Sequence, residues 1–231
     1  MDIVYFVREG EENDELKYSL RSLANLPHGT VHIVGYKPSW VTNVNHIEVI
    51  QDKGGKNLNT THNMLVAAQS DDISENFILM NDDFFIMKPL SELPHYNRGS
   101  IEKVAEYYRQ LDSMYYRGML DTREYMEKLG IKSSLSYELH IPMIFNKKNV
   151  IKMFEQYYKD QPPVAILHKR TLYGNMFNYG GKEIKDVKVY TNDGQTDRES
   201  TFLSTQDDAW EYSKIGRFIR RQFKEKCQYE K

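Results

Sequence analysis

Two adjacent aspartates, Asp82 and Asp83, interrupt an otherwise apolar run, Asn76-Phe-Ile-Leu-Met-Asn-Asp-Asp-Phe-Phe-Ile-Met87. Short apolar stretches of this kind fit a strand buried on both faces in the middle of an α/β sheet. Such a strand does not carry two carboxylates without compensation, because an unpaired buried carboxylate costs several kcal/mol. A divalent cation at the carboxyl end of the strand, where open α/β sheets place their ligands, compensates both. A polar turn between two apolar elements, with both acids solvated, fits the same local pattern. The residues alone leave these readings open.

The rest of the chain narrows the class. Its 231 residues are enough to bury a substantial core. No repeat, low-complexity tract or linker divides them, so a single domain over 1–231 is expected. The net charge of -2, with signs interspersed, gives no electrostatic case for a nucleic-acid partner, though nucleic acid stays open as an acceptor. A lone cysteine, Cys227, excludes an internal disulfide and a cysteine-rich zinc site. The start, Asp2-Ile-Val-Tyr-Phe-Val7, lacks the pattern of a signal peptide, and no apolar run is long enough for a transmembrane segment. The expectation is a soluble, cytoplasmic protein. Seventeen tyrosines suit sugar or base recognition, but at helical spacing they equally describe half-buried packing.

Apolar periodicity predicts strands at Ile3–Val7, Val31–Gly35 and Ile47–Ile50 and helices at Glu11–Asn25 and Thr60–Gln69, with the acid-bearing strand next. Alternating strands and helices argue for an α/β sheet with crossover helices. The second half is less regular. Helices are predicted at Ile101–Leu129, Val150–Tyr158 and Thr171–Tyr179, a short strand at Val187–Tyr190, and a basic terminal helix from Trp210.

This order of elements, with an acid pair ending a central strand, resembles the GT-A (Rossmann-like) architecture: a mixed sheet flanked by helices, here with an irregular helical C-terminal half. More specific blocks follow. Asn13-Asp-Glu-Leu-Lys-Tyr-Ser-Leu-Arg-Ser22, His32-Ile-Val34, Pro38-Ser-Trp-Val41, Leu58-Asn59-Thr60 and Met80-Asn-Asp-Asp83 occur in the order of the second conserved region of the Stealth family. That family includes capsule polysaccharide phosphotransferases and the lysosomal-enzyme N-acetylglucosamine-1-phosphotransferase. His140-Ile-Pro142 resembles its third region and His168-Lys-Arg170 its fourth. The first region survives only as Asp2-Ile-Val-Tyr-Phe-Val-Arg-Glu-Gly10, so the resemblance describes a stripped-down version.

The resemblance implies a transferase moving a sugar-1-phosphate from a nucleotide donor, a UDP-sugar, to a hydroxyl of a glycan-type acceptor. Two alternatives stand beside it: a GT-A glycosyltransferase that moves the sugar itself to a polysaccharide, protein or modified DNA, and a non-catalytic sugar-nucleotide-binding domain. Asp82 and Asp83 would hold Mg²⁺ or Mn²⁺ on the diphosphate, with Asn81 orienting a carboxylate or binding a phosphate oxygen. Arg170 supplies a permanent planar cation. His140 would take the proton from the acceptor hydroxyl, a role that either Asp82 or Asp83 can also fill if only its neighbour binds metal. Arg8, Arg21, Lys56 and Asn59 are candidates for donor contact. For Arg21 an ion pair with Glu15 or Asp14 fits equally, and for Lys56 a surface turn. Asp207 and Asp208 are candidates for a further metal ligand or for a helix N-cap.

Overall fold

The computed structural model describes residues 1–51, 55–111, 113–132, 134–190 and 198–231. Of the predicted Lys53–Lys56 loop, Lys53 and Gly54 lie outside these residues. Strand β1 (Asp2–Val7) leads to helix α1 (Asp14–Ser22), then to β2 (Val31–Gly35) and β3 (Asn45–Glu48). Helix α2 (Lys56–Gln69) precedes β4 (Asn76–Asn81), β5 (Phe84–Ile86) and β6 (Tyr96–Asn97). Helices α3 (Ile101–Tyr108) and α4 (Met114–Lys128) follow, then β7 (Met143–Asn146), α5 (Lys147–Asp160) and α6 (Lys169–Met176). The chain closes with β8 (Lys182–Glu183), β9 (Lys188–Val189), β10 (Phe202–Thr205), α7 (Asp207–Tyr212) and α8 (Lys214–Gln222).

The main sheet has the order β3-β2-β1-β4-β7, parallel except for β7, which runs antiparallel beside β4. Its centre, β1 and β4, is apolar on both faces. Val4, Phe77 and Leu79 meet α2 and α5 on one side, while Ile3, Tyr5, Ile78 and Met80 meet α1 on the other. This two-sided burial accounts for the continuous rather than alternating apolar runs. Gly35 closes β2 with φ +115°, where a Cβ would stand 2.4 Å from the Val7 carbonyl oxygen, so the ends of β1 and β2 approach as only glycine allows.

The expected acid-bearing strand is two strands. The backbone leaves β4 at Asn81, turns through Asp82 and Asp83, and resumes as β5 in a second sheet, antiparallel to β10, whose other neighbour is β9. A strand buried on both faces ends at the acid pair and a turn carries the acids, but they are not solvated: Asp82 is largely buried and Asp83 is bonded to Lys188. The serines of the Ser19-Leu-Arg-Ser22 block hold the two ends of β5. Ser19 donates to the Phe84 carbonyl at 2.5 Å, and Ser22 accepts from the Ile86 amide at 3.1 Å.

Other boundaries shift for local reasons. Helix α1 starts at Asp14 rather than Glu11, because the Asn13 side chain caps it by accepting from the Leu16 amide at 3.0 Å. Strand β3 ends at Glu48, leaving Ile50 exposed. The predicted 101–129 helix divides at Ser113, which caps α4. The basic tail is helical only to Gln222, after which the chain folds back to bridge Val41 with Glu230. Among the described residues no helix is long and apolar enough to cross a membrane.

Candidate active site

The turn after β4 places Asp82 and Asp83 in different surroundings. Asp82 accepts a hydrogen bond from Asn13 Nδ2 at 2.9 Å, so the residue that caps α1 also fixes the first acid. Burial and the charge of Asp83 push the Asp82 carboxyl above the usual carboxylate range. The positive charges of Arg8 and Lys56 offset part of that push, which places both expected donor contacts within electrostatic reach of the acid pair. Asp83 accepts from Ser204 Oγ at 2.8 Å and from the Lys188 ammonium, both delivered by the second sheet, where Ser204 and Lys188 are register partners.

A third carboxylate joins them. Glu15, in the first turn of α1, accepts from Thr205 Oγ1 at 2.6 Å. Burial raises its carboxyl to about 7, with Asp83 and Asp82 adding to the rise against the Thr205 bond. Among the described residues the cluster thus holds three acids and one bonded cation. Lys188 carries no signal that would have marked it in the sequence. Asn13 and Glu15 open the Stealth-like helix block, but nothing local distinguishes them from its other polar residues.

His140 packs against the ring of Phe84, the residue after Asp83. The imidazole meets the Phe84 ring edge-on at 6.3 Å, and the Arg170 guanidinium lies 5.9 Å from the same ring. The partner of His140 is Asp186, unmarked in the sequence. One Asp186 oxygen lies 2.8 Å from His140 Nδ1, and the other accepts the His140 backbone N–H at 3.0 Å. Burial would raise Asp186, but the His140 bonds and the Arg98 charge outweigh it and hold the carboxyl at about 2. An ionised Asp186 fixes the Nδ1–H tautomer, which leaves Nε2 as the proton acceptor.

Arg170 donates to the Ile141 carbonyl at 2.6 Å, while its Nε–H is buried without a hydrogen-bond partner among the described residues. On the preceding residue, burial lowers the Lys169 amine to about 8, and that amine reaches Thr60 Oγ1 on α2 at 3.2 Å. His168 is a packing residue: it is buried against the Tyr115 ring at 4.5 Å, with Nε2 on the Tyr115 carbonyl at 3.0 Å.

The other expected site residues have varied surroundings. Arg21 pairs with Glu230 through two bonds of 2.7 Å and also holds the Phe223 carbonyl, tying the C-terminal segment to α1. Its partner is neither Glu15 nor Asp14. Asp207 is exposed and faces Arg8 at 3.8 Å, and Asp208 is exposed beside it. Gln206 occupies the N-cap position of α7, so neither aspartate is the cap. Asn59 lies half-buried on α2, and Asn81 ends β4 opposite Phe6 of β1.

The acid pair supplies oxygen ligands only, the kind a hard divalent cation takes; Asp82 is bonded to the Asn13 amide, and Asp83 to the Lys188 ammonium, whose place on that carboxylate a bound cation would take. Among the described residues no three His, Cys, Asp or Glu side chains form a metal cage, so any further positions would fall to water or to a bound ligand.

No protein-family model matches the chain, and no curated protein sequence does. The Stealth resemblance therefore rests on the sequence blocks alone. Solved structures do match. The galactosyltransferase LgtC, in complex with donor and acceptor sugar analogues, aligns over 100% of this chain and 98% of its own with a TM-score of 0.57 and 11% identity. An active-site mutant of LgtC aligns over 97% of this chain and 94% of its own with a TM-score of 0.53 and 12% identity. The fold is the GT-A glycosyltransferase fold: a parallel-dominated central sheet flanked by helices.

Proposed function

We propose that this chain is a sugar-nucleotide-dependent glycosyltransferase whose donor diphosphate lies over the carboxyl ends of β1 and β4. The observation that carries the reading is the largely buried acid pair at the carboxyl end of β4, with the His140–Asp186 pair packed against Phe84, the residue that follows it. Asp82 and Asp83 would hold Mg²⁺ or Mn²⁺. When bound, the cation offsets the negative charge that builds on the departing phosphate.

The chain's own residues supply the remainder. Arg8 and Lys56 draw the diphosphate towards the ends of β1 and α2. His140 Nε2 accepts the proton of the acceptor hydroxyl as it attacks, and Asp186 stabilises the imidazolium that forms. The LgtC likeness supports transfer of the sugar itself, with release of a nucleoside diphosphate.

Transfer of sugar-1-phosphate is a second reading, favoured by the Stealth blocks and by one feature: the Arg170 guanidinium, whose buried Nε–H has no hydrogen-bond partner among the described residues. Incubation with UDP- and GDP-sugars and Mn²⁺ separates the two. Nucleoside diphosphate supports sugar transfer, monophosphate supports phosphotransfer, and the Asp83→Ala variant controls for contaminating phosphatase. A protein that binds these donors but turns over none, across a broad acceptor panel, is a binding module instead.

A further inference from the structure

We infer that Lys188 competes with a divalent cation for Asp83 and thereby couples the cation to the nucleotide, so that Mn²⁺ and a nucleoside diphosphate bind together far better than either binds alone. The inference rests on the transferase reading and adds a residue that controls how its donor site fills.

Lys188 is built into the cluster. Its ammonium donates to Asp83 and, at 2.5 Å, to the Thr205 carbonyl, while Ser204 Oγ donates to the same Asp83 oxygen at 2.8 Å. Ser204 is the register partner of Lys188 on the neighbouring strand, so the pairing of β9 with β10 delivers both donors to one carboxylate. The Lys188 and Asp83 side chains are only 12% and 13% exposed. An ion pair this sheltered is weakly screened by salt.

The charges around it explain why the contact forms. Asp82, Asp83 and Glu15 gather at the end of β4, and Asp83 disfavours ionisation of both others. Among the described residues Lys188 is the one cation bonded to any of the three, and its charge is felt by Glu15 as well. Arg8 and Lys56 act on Asp82 through space, and so attract anions without occupying a carboxylate.

A divalent cation on Asp83 must displace this ammonium. The two then stand as like charges at close quarters and repel. Lys188 has a flexible stem, and its bond to the Thr205 carbonyl keeps the ammonium beside the turn. The oxygens of a diphosphate can accept the ammonium that Asp83 releases, since lysine serves phosphates as a point charge. Cation and nucleotide are thus linked through Lys188, and such linkage is reciprocal.

Mn²⁺ binding, followed by loss of the free-ion electron paramagnetic resonance signal against protein-free Mn²⁺–UDP blanks, tests this without turnover. UDP should tighten Mn²⁺ binding to the wild-type protein by about tenfold or more. Lys188→Met should bind Mn²⁺ alone about tenfold more tightly than the parent and show a UDP effect smaller by about the same factor. Its melting temperature should fall without metal and recover with Mn²⁺. Lys188→Gln, which keeps a donor but no charge, should behave likewise and guards against a Met variant that fails to fold. Ser204→Ala removes only a neutral donor from Asp83 and should leave the coupling in place. Unchanged Mn²⁺ affinity in the folded Lys188 variants, or an equal gain in Ser204→Ala, overturns the assignment. Absence of UDP binding to the wild-type protein sinks the donor reading and this inference with it, whereas UDP binding with no change in the Lys188 variants sinks this inference alone.

Discussion

His140 is held by Asp186 at two points, ring Nδ1 at 2.8 Å and backbone N–H at 3.0 Å, so the carboxylate fixes both the tautomer and the position of the imidazole. This relation spans 46 residues of sequence and gives the site its directional proton acceptor. His140→Ala should lower transfer by about 10²–10⁴-fold, the usual worth of a positioned general base. Asp186→Asn should lower it less and move the acidic limb of the pH–rate profile, which a purely structural loss would not do. Steady-state rates across pH, with donor and acceptor saturating, check both.

Asp186 also makes a prediction about acid stability. Its folded value of about 2 lies below its ordinary 3.8, so it stabilises the protein above the ordinary value and loses that contribution as pH falls through about 2. Acid unfolding of Asp186→Asn followed by circular dichroism should show a shallower loss of stability between pH 4 and 2 than the parent.

Glu15 works in the opposite direction. Its carboxyl is raised from 4.5 to about 7, so the folded state binds the proton more tightly than the unfolded chain. Stability without added metal should therefore fall as pH rises from 4.5 to 7 and level off above that. Glu15→Gln removes the ionisation and should flatten this decline in thermal melts recorded across the same range.

Asn13 serves both the α1 cap and Asp82, and substitutions separate the two roles. Asn13→Ala should cost about 1 kcal/mol of stability through the lost cap and also weaken Mn²⁺-dependent nucleotide binding. Asn13→Ser keeps a capping oxygen but cannot reach Asp82 as a donor amide does. It should retain stability and lose nucleotide affinity. Paired denaturation and calorimetric titrations distinguish the two effects.

Arg21→Met should destabilise the fold by about 3 kcal/mol, because it leaves Glu230 in the interior without its cation. The effect belongs to the C-terminal segment, and UDP affinity of the folded fraction, measured calorimetrically, should match that of the parent.

The parts of the fold carried by local pattern were legible in the sequence. Strands β1 and β2 follow from apolar periodicity, and the acid pair announces itself by its surroundings. What the sequence concealed depends on distant pairing. Phe84–Ile86 reads as a continuation of β4 until Phe202–Thr205 pairs with it from the far end of the chain. Asp186 sits in Lys185-Asp-Val187, a stretch with no pattern, and acquires meaning only from His140. Arg21 lies in the Stealth-like helix and reads as a ligand residue, whereas its partner is 209 positions away. Lys188 reaches Asp83 because β9 and β10 are in register, which no local feature encodes.

Calorimetric titration of UDP into the purified protein with and without Mn²⁺, repeated with Asp83→Ala, bears on the donor site more directly than any other measurement. Binding of UDP should depend on Mn²⁺ and fall by about 10²-fold or more in the variant, the loss expected when one of two cation-holding carboxylates is removed. UDP binding that ignores both Mn²⁺ and Asp83, or no UDP binding to the wild-type protein under any condition, contradicts a metal-assisted donor site on the Asp82–Asp83 turn.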